Sequence, residues 1–256
     1  MMVDYGACPQ QTGGRSTDLD RVMVDFLQRW SLRLAPIPAA ALVLVSLLGV
    51  FAWVPTDKAL GLSQRIFYFH VPAASMCFLA FGVAGAASIA FLKTRSEIWD
   101  QAAHAAVSVG MVLATVVLVT GSIWAHTAWG TWWTWDARLT TFLVLWLVYA
   151  AYLLLRNLAR ENEMAPRYAA VLAITGGLNV PLVMMATRLF RTIHPEVIRN
   201  PEGGISDPRM ITTLMLAMVA YLILFMWLWA LKVASLRLEH RIDRLLEDSY
   251  QRSLPS

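Results

Sequence analysis

Two histidines and one run of tryptophans carry most of the chemistry this chain offers. His70 lies in Tyr68-Phe69-His70-Val71-Pro72 and His194 in Thr192-Ile193-His194-Pro195. Residues 124 to 135 hold five of the eleven tryptophans (Trp124, Trp129, Trp132, Trp133 and Trp135) and run straight into Asp136-Ala137-Arg138. A neutral imidazole nitrogen is a strong ligand for iron. Tryptophan gives the widest rigid aromatic surface of any side chain and keeps an N–H donor at its edge. Five together therefore make either a platform for a planar ligand or an anchor at a lipid headgroup boundary. Arg138, Arg188 and Arg191 share the apparent depth of these groups, and guanidinium forks bind carboxylates through paired hydrogen bonds.

An iron porphyrin needs all three of these properties at once, because its macrocycle is flat and apolar, its iron takes two axial ligands and its two propionates are anionic. A single interfacial histidine is more often a hydrogen-bonded cap than a ligand. Here the coincidence of imidazoles, indoles and arginines favours a haem site. A membrane anchor would explain the indoles and leave the arginines unexplained.

The elements that must position these groups are membrane spans. Hydrophobic residues make up 58% of the chain and charged residues 15%, far from the balance of a soluble domain. Crossing a hydrocarbon core of about 30 Å takes roughly 20 apolar residues. Six stretches qualify: 34–54, 66–92, 102–124, 139–155, 168–187 and 210–231, none containing Asp, Glu, Lys or Arg. The fourth is the shortest and is expected to borrow a turn from the preceding segment or to use snorkelling arginines. The fold class expected is an all-α six-helix membrane bundle with an external tryptophan-rich amphipathic segment. Three regions follow: a tail over 1–33, a membrane domain over 34–231 carrying the tryptophan loop 124–138, and a tail over 232–256.

Fourteen of the 21 Lys and Arg residues fall in the two tails and the second and fourth loops, and seven in the alternate loops. The positive-inside rule then puts both termini in the cytoplasm and the tryptophan loop outside. The first 33 residues contain Asp4, Asp18, Asp20 and Asp25 and no apolar run ending in a cleavage site, so no cleaved signal peptide is expected. Leu19, Val22, Phe26, Leu27 and Trp30 recur at the spacing of an interfacial amphipathic helix. Beyond the sixth span, Leu238, Ile242, Leu245 and Leu246 form a helical stripe among charges, which predicts an amphipathic extension over 235–250 that docks on a partner or lies on lipid.

Cys8 and Cys77 lie at different depths and form no C-x-x-C, which excludes covalent haem attachment and thiol redox chemistry. Motifs for nucleotide hydrolysis, zinc proteolysis and serine hydrolysis are absent from the sequence. No catalytic residue is expected, and ATP hydrolysis, where it is needed, belongs to a separate chain.

Several residues keep two readings. Asp136 can cap the fourth span or accept a hydrogen bond from a ligand histidine. Arg138 can stay among headgroups or bind a propionate. His104 and His240 read as structural or solvated. Gly176-Gly177 suits close helix packing, while Asn179-Val180-Pro181 implies a bend that aims the following loop.

The run from Trp129 to Thr140 resembles the tryptophan-rich signature of the haem exporter protein C (CcmC) family. Tyr68-Phe69-His70-Val71-Pro72-Ala73-Ala74 and Thr192-Ile193-His194 are similar to the family's two histidine motifs. Gly121-Ser122-Ile123-Trp124 and Asn179-Val180-Pro181 also match, and the resemblance covers roughly residues 60 to 230. It implies a six-span bacterial inner-membrane protein that binds haem b as its carried ligand and presents it to a small chaperone, CcmE, beside CcmA, CcmB and CcmD subunits. It also implies that His70 and His194 are the axial ligands and that Trp129, Trp132, Trp133, Trp135 and Asp136 are the platform, with Trp124, Arg138 and Arg188 around them.

Two departures stand out. Leu189-Phe190 replaces paired tryptophans before the second histidine. Ala125-His126-Thr127 replaces a Gly-Lys-Pro type sequence, so that His126 reads as an accessory ligand or a surface residue. The related ligase-type proteins CcmF and CcsA usually continue Trp-Asp-Pro followed by an acidic residue, where this chain has Trp135-Asp136-Ala137-Arg138. A b-type electron carrier would place paired histidines inside the spans, whereas these crowd one surface.

Overall fold

The computed structural model describes residues 35–57, 60–159, 162–190 and 207–253, and these are helical almost throughout. The amphipathic stretch expected around Leu19 to Trp30, together with Arg191 and His194, lies outside them. Helix α1 (Pro36–Leu48) starts on a proline, whose missing N–H costs nothing in a first turn, and widens into a π-helical turn at Gly49–Trp53. A 3-10 turn (Leu62–Ile66) then leads into α2 (Phe67–Thr94). The remaining helices are α3 (Glu97–Trp129), α4 (Ala137–Leu158), α5 (Ala165–Leu189) and α6 (Pro208–Ser253). Six of these helical segments are long and apolar enough to cross a membrane, matching the six predicted spans.

The fourth span gains its missing length at both ends, from Ala137-Arg138 and from Arg156 onward. The sixth runs unbroken to Ser253, so the predicted amphipathic extension is the same helix as the span.

Lipid is as apolar as leucine, so helices in a bilayer associate by close packing and internal hydrogen bonds rather than by the hydrophobic effect. This chain follows that logic. Central α2 packs along α3, α5 and α6, and its contact faces are built from small residues: Ala80, Ala84, Ala106, Ala114 and Ala173 are fully buried. A Cβ on Gly110 would come within 2.8 Å of the Phe81 ring, which sets how closely α3 approaches α2.

The tightest junction is at Tyr149 of α4. Its ring stacks on Phe81 at 3.8 Å and 8°, and its hydroxyl donates to the carbonyl of Ala173 at 3.0 Å, with that of Phe81 at 3.3 Å. Gly176 is where that ring fits, since a Cβ there would lie 2.6 Å from Tyr149 Cε2. Gly177 faces Gly85 across the α2–α5 contact. The paired glycines read as packing residues in the sequence thus have identified partners.

At the end of the bundle away from the tryptophans, Arg156 grips Asp100 through two bonds of 2.9 Å. Arg237 Nε donates to Gln101 at 3.3 Å, and the Trp229 indole donates to the Ala102 carbonyl at 3.0 Å. His240, read from sequence as structural or solvated, is half-exposed on α6 with Nε2 3.0 Å from a carboxylate oxygen of Glu97 on α3. The first part of the extension stays alongside α3 past the span because these polar groups face each other.

Substituting Gly176→Ala should therefore cost about 1–3 kcal/mol by overpacking. Tyr149→Phe, which keeps the stack and loses the hydroxyl bond, should cost about 0.6–1.7 kcal/mol. Detergent unfolding titrations of the two variants measure both, and the order of the costs tests whether steric fit outweighs the hydrogen bond.

Candidate functional site

The tryptophan run is half helix and half turn. The sequence predicts one external loop over 124–138, but α3 continues through Trp129 and ends only at Gly130. There the backbone turns left-handed (φ 71°), a conformation that favours glycine, and the Gly130 N–H closes the helix on the His126 carbonyl at 3.0 Å. Trp124 and Trp129 are thereby fixed on the last helical turns, edge to face at 5.0 Å and 82°. Residues 131–136 form the turn proper. The Thr131 hydroxyl bonds the Trp133 carbonyl at 3.0 Å, and Trp133 meets Trp135 edge to face at 5.9 Å.

Asp136 ends the turn as the N-cap of α4, its Oδ1 accepting the Leu139 N–H at 2.9 Å. The cap is therefore present, and it anchors the second half of the run as Gly130 anchors the first. Below the cap, the Asn179 side-chain amide donates to the Thr141 carbonyl at 3.2 Å. This bond gives the Asn-Val-Pro run of α5 a partner on the helix that carries the site.

The indoles divide by exposure. Trp132 and Trp135 are 58% and 77% exposed, while Trp124, Trp129 and Trp133 are partly covered. The Trp133 indole N–H is buried without a hydrogen-bond partner among the described residues, as are the hydroxyls of Thr134 and Thr140. Buried donors usually find partners, so three such groups around one turn stand out among the described residues.

His126, which the sequence leaves between accessory ligand and surface residue, is exposed and stacks on Trp132 at 4.2 Å and 23°. It widens the flat surface by one ring. The spacing of His126 and Trp132 fits no helical repeat, so the contact is invisible in sequence; it exists because the chain folds back at Gly130.

His70 lies on the first turns of α2 at this same end of the bundle, partly buried, with Nδ1 3.0 Å from the Thr120 hydroxyl of α3. Among the described residues, no three His, Cys, Asp or Glu side chains gather as a metal cage. The basic groups also divide. Arg65 sits over the Phe51 ring at 5.8 Å. Arg209 donates to Asp207 at 2.9 and 3.1 Å, which holds that carboxyl below the usual carboxylate range. Arg188 is exposed on the last turn of α5 and makes no ion pair among the described residues. Arg138 begins α4 next to the cap.

The arrangement offers an imidazole, a rigid aromatic shelf and cationic groups at one membrane boundary. It suits a large planar ligand with anionic edges better than it suits a small ion. Asp136→Ala should remove the cap and cost about 0.5–2 kcal/mol, seen as faster hydrogen exchange at the Leu139 amide while exchange in mid-α4 stays slow.

Comparison with known proteins places this geometry in a family. The profile described as "Heme exporter protein C" matches residues 20–247, which include all six spans. A heme exporter protein C of Bradyrhizobium diazoefficiens is 32% identical over 216 residues, covering 83% of this chain and 82% of its own. That of Escherichia coli K12 is 30% identical over 207 residues, covering 81% and 84%. One from Rhodobacter capsulatus reaches 37% over 158 residues, covering 60% and 65%. With a six-span all-α fold and a profile match running from before the first span to beyond the last, the chain belongs to the haem exporter protein C family.

Proposed function

We propose that this protein binds haem at the tryptophan end of the bundle and hands it to a partner during cytochrome c maturation. The observation that carries the reading is the pair of exposed indoles Trp132 and Trp135 set between Gly130 and Asp136, with His126 of α3 stacked on Trp132, at the end that also holds His70. Membrane anchoring alone would not call for indoles braced edge to face on a capped turn. The orphaned Trp133 N–H and the exposed Arg188, which has no ion-pair partner among the described residues, supply what a haem edge lacks, donors for its propionates. Burying an anion without such partners costs several kcal/mol, on the order of the known penalties for unpaired charge.

In this reading His70 and His194 are the axial ligands of haem b, carried as cargo. Trp124, Trp129, Trp132, Trp133 and Trp135 hold the macrocycle and exclude water. Asp136 keeps the turn in shape, and Arg138 and Arg188 meet the propionates. The exposure of Trp132 and Trp135 leaves room for a small chaperone of the CcmE type to approach the same shelf. The chain is a handling subunit with no chemistry of its own, placed in a bacterial inner membrane with both termini cytoplasmic. Breaking a two-ligand site needs work, which a CcmA-type ATPase with CcmB and CcmD partners supplies.

Visible spectra of the purified protein test the ligands. His70→Ala and His194→Ala should each lose most of the haem Soret band at stoichiometric haem, and the double variant all of it; wild-type haem retention in the double variant would remove the assignment. Trp132→Ala and Trp135→Ala should weaken haem roughly two- to tenfold each, the scale of one aromatic contact, without changing the ligand signature in the spectrum.

A further inference from the structure

The imidazole of His70 rests in a seat built by α3. The Thr120 hydroxyl oxygen lies 3.0 Å from Nδ1 of His70 and 2.6 Å from the carbonyl oxygen of Val116, one turn back in the same helix. Two oxygens that close need a hydrogen between them, because bare lone pairs repel. A hydroxyl has one proton, so the Thr120 proton is committed to Val116. Only lone pairs are left for the histidine, and Nδ1 must therefore be the donor. A neutral imidazole protonated at Nδ1 carries its own lone pair on Nε2, at the far corner of the ring.

The neighbouring residue shapes the seat. A Cβ on Gly121 would stand 3.1 Å from His70 Cε1 and 3.7 Å from Nδ1. The edge of the ring occupies the space that any other side chain at 121 would fill. One helix thus sets both the proton position and the tilt of a ring that belongs to another.

We propose that Thr120 and Gly121 are positioning residues for His70: Thr120 holds the Nδ1–H tautomer and Gly121 leaves the slot for the ring, so that Nε2 is presented as the iron-binding atom. The inference rests on the reading of His70 as a haem ligand and adds which nitrogen binds and what aims it. The physical logic is that of outer-shell partners in metal sites. A hydroxyl already donating to a carbonyl is a polarised, stronger acceptor, and an acceptor at one imidazole nitrogen strengthens the other as a donor to metal.

The test uses full-length protein in nanodiscs, haem-free, with 15N-labelled histidine and the His70 signals assigned by their loss in His70→Ala. The wild type and Thr120→Ser should show the Nδ1–H shift pattern. Thr120→Val, of the same shape without the hydroxyl, should move toward Nε2–H while the other histidine signals stay in place and report an intact fold. In haem titrations Thr120→Val and Gly121→Ala should bind about 10–100-fold more weakly, the usual cost of losing such a partner, and Thr120→Ser should stay close to the wild type. An unchanged Nδ1–H pattern in Thr120→Val overturns the positioning role, as does wild-type haem affinity in both Thr120→Val and Gly121→Ala. Full haem retention in His70→Ala instead sinks the ligand reading itself. A wild-type tautomer in Thr120→Val alongside haem loss in His70→Ala sinks only the seat.

Discussion

The stack of Tyr149 on Phe81, with the Tyr149 hydroxyl bonded to the Ala173 carbonyl, is the contact on which the rest of the bundle depends. It joins α2, α4 and α5 at one point, in an environment where apolar side chains gain nothing by leaving lipid for one another. Steric fit and a satisfied hydroxyl have to supply the specificity. Gly176 gives the Tyr149 ring its space, Gly85 and Gly177 let α2 and α5 come close, and Gly110 takes the edge of Phe81 to bring in α3. A helix rises about 1.5 Å per residue. From this junction His70 is therefore about 16 Å along α2, Thr120 about 15 Å along α3 from Gly110, and Asp136 about 20 Å along α4. Groups far apart in sequence reach one level because the helices are pinned at a common depth.

The two ends of the bundle use polarity differently. Away from the tryptophans, charged and polar groups pair with each other: Arg156 with Asp100, and Arg237 with Gln101. That end is held shut, and α6 projects from it as a continuous helix whose exposed face carries Leu238, Ile242, Leu245 and Leu246. At the tryptophan end, backbone devices do the fixing. Gly130 stops α3, Asp136 starts α4, and between them Trp132 and Trp135 stay exposed while the Trp133 N–H is buried without a hydrogen-bond partner among the described residues. In the proposed reading, exposed indoles set between two backbone anchors would let a flat molecule bind and leave with little loss of conformational entropy.

Much of this is open to reading in the sequence, because it depends on local rules. Apolar run length marks the six spans, and an acidic residue before an apolar helix marks the cap at Asp136. The stripe from Leu238 to Leu246 marks the helical extension. Motif spacing around His70 and the tryptophans points to the family that the whole-chain comparison shows. The boundary of the tryptophan loop is not legible in the same way, because indoles near a membrane surface look alike whether helical or not; the decisive residue is a glycine free to turn left-handed.

What one dimension could not carry is which faces of the helices meet. Hydropathy says that a segment crosses the bilayer, but its rotation about its own axis is set by where a neighbour's bulk finds a glycine. That rotation brings Thr120 to His70 from a different helix, and Glu97 to His240, while the turn at Gly130 lays Trp132 on His126. The chain alone determined the spans, the caps and the inventory of imidazoles, indoles and arginines, because each follows from a residue and its nearest neighbours. Only the tertiary structure decided that α3 holds the ring of His70 and that Tyr149 fills the space at Gly176, because those contacts exist only once separate helices have settled against each other.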